Sequence, residues 1–177
     1  MVLKPDSTEV QEFIRCGREF CGWYDRVPSA EDMSWVRGMH LALVDLYRAG
    51  FVLNLGEIED CGDEPELPAE ESANILSIEA RFGTPFGIRN FYAHAFDLEK
   101  VGDPETLVCG SIADDLCDIQ DDIRTGLNRW DIASERERMH WIWDWRFTFK
   151  LHWSRHAVGA MRAMLEFITE KDQVFGE

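Results

Sequence analysis

Ser111-Ile-Ala-Asp114-Asp115-Leu-Cys-Asp118-Ile-Gln-Asp121-Asp122-Ile123-Arg-Thr-Gly-Leu127 decides the fold class. At about 100° per residue, Ile112, Leu116, Ile119, Ile123 and Leu127 fall within one narrow arc, the signature of an amphipathic helix. Ser111 followed by Asp114 reads as a capping box that opens it. Ser134 with Glu137 opens a last helix running as far as Thr169, with Met139, Ile142, Phe149, Trp153, Ala157, Ala160, Met161, Met164 and Ile168 on one stripe. A helix of that length predicts a bend, near Ser154 or Gly159. Toward the N-terminus, Thr8 with Gln11 starts a first helix along Val10, Phe13, Ile14, Gly17, Phe20, Cys21 and Tyr24, which ends before Pro28. Ser29 with Asp32 starts a second, along Val36, Met39, Leu43, Leu46 and Tyr47, with Gly50 as its stop. The short turn between them predicts antiparallel packing.

From Glu57 to Glu71 eight acids occur with no Lys or Arg, around Gly62, Pro65 and Pro68, which is the composition of a solvated loop. A shorter helix is expected over about Ala69 to Phe82, and the run from Gly83 to Gly87 forces a turn. Phe91, Tyr92 and Phe96 fit no pattern. Because no run alternates with the period of a strand, the expected fold is all-α. It is a single-domain helical bundle of about five to six helices, with an acidic loop between the second and third.

The 177 residues suffice to bury one hydrophobic core. Seven Trp and eleven Phe exclude a disordered chain. No apolar stretch approaches the length of a membrane span and no secretion signal is visible, so a cytoplasmic protein is expected. Cys16, Cys21, Cys61, Cys109 and Cys117 are odd in number and show no zinc-knuckle spacing, so they read as idle or buried thiols. A net charge of -16 argues against nucleic acid and anionic membranes and leaves a basic protein as the partner that charge would favour. Residues 1–133 carry 27 acids against 11 bases, whereas residues 134–177 carry 7 of each, so the acidity belongs to the earlier part.

The segment Gly110 to Ile123, followed by Trp143-Asp-Trp-Arg-Phe-Thr-Phe149 and His152-Trp-Ser-Arg-His-Ala157, resembles the bacterial family called domain of unknown function 5063. Val10 to Asp25 and Met39 to Leu53 look like that family's first two helices, while residues 57–90 depart from it. The resemblance implies a small helical protein and carries no activity with it.

Asp114, Asp115, Asp118, Asp121 and Asp122 form one stripe opposite the apolar arc. Like charges three and four apart on a helix repel unless a cation, a basic partner or water relieves them. The plain reading is a solvated face, with Asp114 and Asp115 favoured by the helix dipole. The sharper one is a Mg²⁺ or Mn²⁺ site, since those ions prefer carboxylate oxygen. Asp114-Asp115-Leu-Cys-Asp118 spells the DDxxD pattern of prenyl-diphosphate enzymes, but a second metal-binding motif is not evident.

On the last helix Arg146 falls in the middle of the apolar stripe, so it is expected to form a structural ion pair with an acid of another helix, first of all with the aspartate stripe. Trp141, Trp145, His152 and His156 lie along an adjoining face, where the two histidines have the i, i+4 spacing that lets imidazoles meet one metal. The Glu of an HExxH motif is missing, which favours a structural or surface role for the pair. His94 and His140 are isolated.

No nucleophile motif, phosphate loop or dinucleotide fingerprint appears, so the first expectation is a non-catalytic protein-binding module, immunity- or inhibitor-like, presenting Asp114, Asp115, Asp118, Asp121 and Asp122 to a basic partner without any cofactor. The alternative is a divalent-metal-dependent hydrolase of a phosphorylated small molecule. It would use Mg²⁺ or Mn²⁺, with Asp115, Asp118 and Asp122 as ligands and His152 or His156 joining them or serving as acid or base.

Overall fold

A computed structural model describes residues 1–58, 85–95 and 107–174. The first helix, α1 (Thr8–Tyr24), buries Val10, Phe13, Ile14, Cys16, Gly17, Phe20 and Tyr24. Its start differs from the expected box. Ser7 holds the N-cap position, and the Gln11 side chain reaches back to the Pro5 carbonyl at 2.7 Å. In α2 (Met33–Leu55) the Asp32 carboxylate caps the start, accepting from the backbone N–H of Ser34 and Trp35.

The second helix runs straight through Gly50 instead of stopping there. A Cβ at Gly50 would lie 2.7 Å from both Phe149 Cδ2 and Trp153 Cη2, so this glycine serves close approach between helices. Beyond Leu55, a short parallel bridge joins Val2 to Glu57, and Leu3 is fully buried there.

A small two-stranded antiparallel sheet follows, which the sequence did not signal, in a fold that is otherwise mostly helical as expected. Strand β1 (Phe91–Ala95) pairs with β2 (Leu107–Ser111), with Phe91 opposite Ser111 and Tyr92 opposite Gly110. Neither strand reads as one in sequence because the hairpin lies on the surface. Phe91, Leu107 and Val108 are all exposed, and β2 carries no inside-outside alternation.

The strands deliver the chain to α3 (Ile112–Arg129), whose start is held twice. Ser111 Oγ accepts from the N–H of Asp114, and the buried Asn90 side chain accepts from the N–H of Ala113 while donating to Ser111 Oγ. Ile112, Leu116, Ile119, Ile123 and Leu127 are buried as the periodicity requires.

Ser134 and Glu137 form the expected capping box at the head of α4 (Glu135–Thr148). It runs without a break into a π turn (Phe149–Trp153) and then α5 (Ser154–Val174), one rod in three segments. Among the described residues the chain therefore has four helices, not five to six. The short helix expected near 69–82 and most of the acidic stretch after Ile58 lie outside the described residues. α1 lies against α2 and α3, and α5 lies against both α2 and α3, so that Phe13, Leu43, Trp145 and Trp153 meet in one core. No described helix is long and apolar enough to cross a membrane.

Candidate metal centre

The aspartate stripe does not face uniform solvent. Asp114 and Asp121 are exposed, Asp118 and Asp122 are half-buried, and Asp115 is buried at 5% exposure. The three inner carboxylates look across to α5 and the end of the π turn. His152 Nδ1 lies 2.6 Å from Asp122 Oδ2, His156 Nδ1 2.8 Å from Asp115 Oδ1, and His156 Nε2 3.4 Å from Asp118 Oδ2. The two imidazoles stand edge to face with centroids 4.7 Å apart. From β1, the Tyr92 hydroxyl donates to the second oxygen of Asp115.

The π turn is what brings the histidines here. In an unbroken α-helix Trp145 and His156 would fall within about 20° of one line, as the sequence reading placed them. The turn takes in an extra residue, with the N–H of Ser154 bonded to the carbonyl of Phe149 five positions back, and rotates everything after it by about 100°. Trp145 and Trp153 can then both face the core at 0% exposure, while His152 and His156 turn toward α3. Trp141, expected beside the histidines, is likewise buried in the core.

The electrostatics follow from crowding acids beside imidazoles. The hydrogen bond to Asp115 holds His156 above the ordinary imidazole range, outweighing its burial, and Asp118 and Asp114 add to the effect. Burial pushes Asp118 and Asp122 above the ordinary carboxylate range, against the pull of the histidines. Burial first, then the bond to Asp115, raises the Tyr92 hydroxyl.

One ligand atom each from Asp118, His152 and His156 lies within 4.8 Å of the other two. Ligands bonded to one ion at about 2.0 to 2.2 Å in tetrahedral geometry lie about 3.3 to 3.6 Å apart, so side-chain movements of about an ångström would close this set on a metal. Each histidine engages a carboxylate through Nδ1, Asp122 for His152 and Asp115 for His156, which leaves both Nε2 atoms for the ion. The set differs from the one read from sequence: Asp115 and Asp122 stand behind the histidines.

Arg146 lies elsewhere, away from the aspartate stripe with which its ion pair was expected. Among the described residues its guanidinium donates to the Gly56 carbonyl, 2.6 Å away, at the end of α2. The last carbonyls of a helix lack intrahelical donors and carry the negative end of its dipole, so a cation there needs no carboxylate. Burial lowers its pKa. The residues that sequence reasoning missed are Tyr92, Gly110 and Gly159. Tyr92 reaches the site only through strand pairing, and nothing in its local sequence signals that.

The profile of the family described as Domain of unknown function (DUF5063) matches residues 5–170. Among solved structures, protein BF1032 from Bacteroides fragilis is similar in fold, with a TM-score of 0.75 and 21% identity, over 92% of this chain and 94% of that one. No curated protein matches.

Proposed function

The chain belongs to the family described as Domain of unknown function 5063, and within it we propose a metal-dependent hydrolase whose divalent transition-metal ion is held by Asp118, His152 and His156. The carrying observation is that each histidine engages a carboxylate through Nδ1, that His156 Nε2 lies 3.4 Å from an Asp118 oxygen, and that Asp118, His152 and His156 each bring one ligand atom within 4.8 Å of the other two. A buried or half-buried acid behind each imidazole fixes its tautomer and orientation, the arrangement that supports metal-ligating histidines. Two imidazoles with one carboxylate favour zinc, cobalt, manganese or iron over the Mg²⁺ that a carboxylate-only stripe would select. Three protein ligands leave positions open, and an ion bound in this way lowers the pKa of water to about 7 and supplies a nucleophile at neutral pH.

The chain's own groups argue about substrate as well. Among the described residues no Lys or Arg is bonded to Asp114, Asp115, Asp118 or Asp122, so the charge of one divalent ion does not offset the stripe. That disfavours the phosphorylated substrate expected from sequence and favours a neutral or cationic one. The basic-partner reading keeps Asp114 and Asp121, the two stripe carboxylates that are exposed.

Thermal unfolding with and without Zn²⁺, Co²⁺ or Mn²⁺ tests the centre. An ion at 100 times its Kd should stabilise the fold by about 2.7 kcal/mol, and His156→Ala or Asp118→Ala should abolish the gain. Absence of any metal response in the wild-type protein would overturn the reading.

A further inference from the structure

Tyr92 belongs to no metal-ligand set, yet its ring is closely confined. It sits on β1 opposite Gly110, and its ring passes between that glycine and Gly159 of α5. A Cβ added at Gly110 would lie 2.5 Å from Tyr92 Cζ, and one added at Gly159 would lie 2.2 Å from the Tyr92 hydroxyl oxygen. Real Cβ atoms essentially never approach that closely, so the ring occupies a slot that only two side-chain-free positions leave open. At the end of the slot the hydroxyl meets Asp115, whose other oxygen faces His156 Nδ1 at 2.8 Å.

We infer that Tyr92 is a positioning residue for the metal centre, acting through Asp115 to hold His156 with Nε2 turned toward Asp118. The inference rests on the metal reading above and extends it to the hairpin. A carboxylate in a buried site can rotate about its last bond and present either oxygen. Donation from Tyr92 to one oxygen removes that freedom and commits the other to His156. With Nδ1–H spent on Asp115, the neutral imidazole is fixed as the tautomer whose free lone pair is on Nε2. The two glycines then follow as a requirement of the site, since either Cβ would displace the hydroxyl without touching a ligand.

Titration of the full chain with Co²⁺ alone, followed by calorimetry and by the visible absorption of the bound ion, tests this. Tyr92→Phe and Gly159→Ala should each weaken Co²⁺ binding by about tenfold while keeping the wild-type absorption bands, because the ligands are unchanged. Long-range proton–nitrogen correlation of metal-free protein at alkaline pH should show His156 as the Nδ1–H tautomer in the wild type and as a mixture in Tyr92→Phe. Wild-type affinity in both variants, with the tautomer unchanged, overturns the role of Tyr92 and leaves the metal centre standing. A wild-type chain that takes up no Co²⁺ overturns the centre itself, and this inference with it.

Discussion

His156 stands between two carboxylates, and each does something different to it. Asp115 raises its proton affinity through the Nδ1 bond, whereas Asp118 faces the nitrogen a metal would take. The sign of the pH effect follows. A histidine whose folded pKa exceeds its unfolded value of about 6.5 stabilises the metal-free fold fully below that value, and the contribution is lost as pH rises through the raised folded value. A metal must displace the Nε2 proton, so binding near pH 7 should release protons, and more of them than at pH 9. Calorimetry in buffers of different ionisation heat measures the release; none at either pH would remove His156 from the ligand set. At this scale the sequence was partly legible. The i, i+4 spacing of His152 and His156 and the arc of acids each pointed to possible ligands, because spacing along one helix survives into the structure. That the two face each other was an expectation of the alternative reading alone, because it depends on the rotation between Trp145 and His156. The division of labour among Asp115, Asp118 and Asp122 did not show, because they share an arc and differ only in what stands opposite.

Helix starts were readable where the cap is local. Ser134 with Glu137 and Ser111 with Asp114 both mark the first turns of α4 and α3. Signals that depend on another element were misread. Gly50 looked like a terminator, yet α2 continues because the Phe149 and Trp153 rings need the space a side chain would fill. Gly50→Ala should therefore destabilise the fold, even though alanine is the better helix former by about 1 kcal/mol. Overpacking two rings of a filled core costs about 1 to 3 kcal/mol, so a net loss of up to about 2 kcal/mol is expected in urea unfolding. A gain equal to the propensity difference would show that the rings yield freely. The hairpin was invisible for a related reason: the partner of Tyr92 is Gly110, across a separation no local pattern spans.

The whole molecule carries -16. Its surface ion pairs, such as Arg18 with Asp131 at 2.8 Å and Arg15 with Glu19 at 3.0 Å, are exposed and worth at most about 1 kcal/mol each. Repulsion among unpaired acids acts over the Debye length, about 30 Å at 0.01 M salt and about 8 Å at 0.15 M. Raising NaCl between those limits should accordingly raise the midpoint of thermal unfolding by a few degrees. A fall would mean that the ion pairs outweigh the net charge. The helical character that periodicity implied holds among the described residues because it rests on a core shared by all four helices. A rod that absorbs one more residue in its middle stays continuous and changes which face of its second half meets the core. In terms of chain length, one residue more or less within 149–153 decides whether the second half of the rod turns His152 and His156 toward the row of aspartates or away from it.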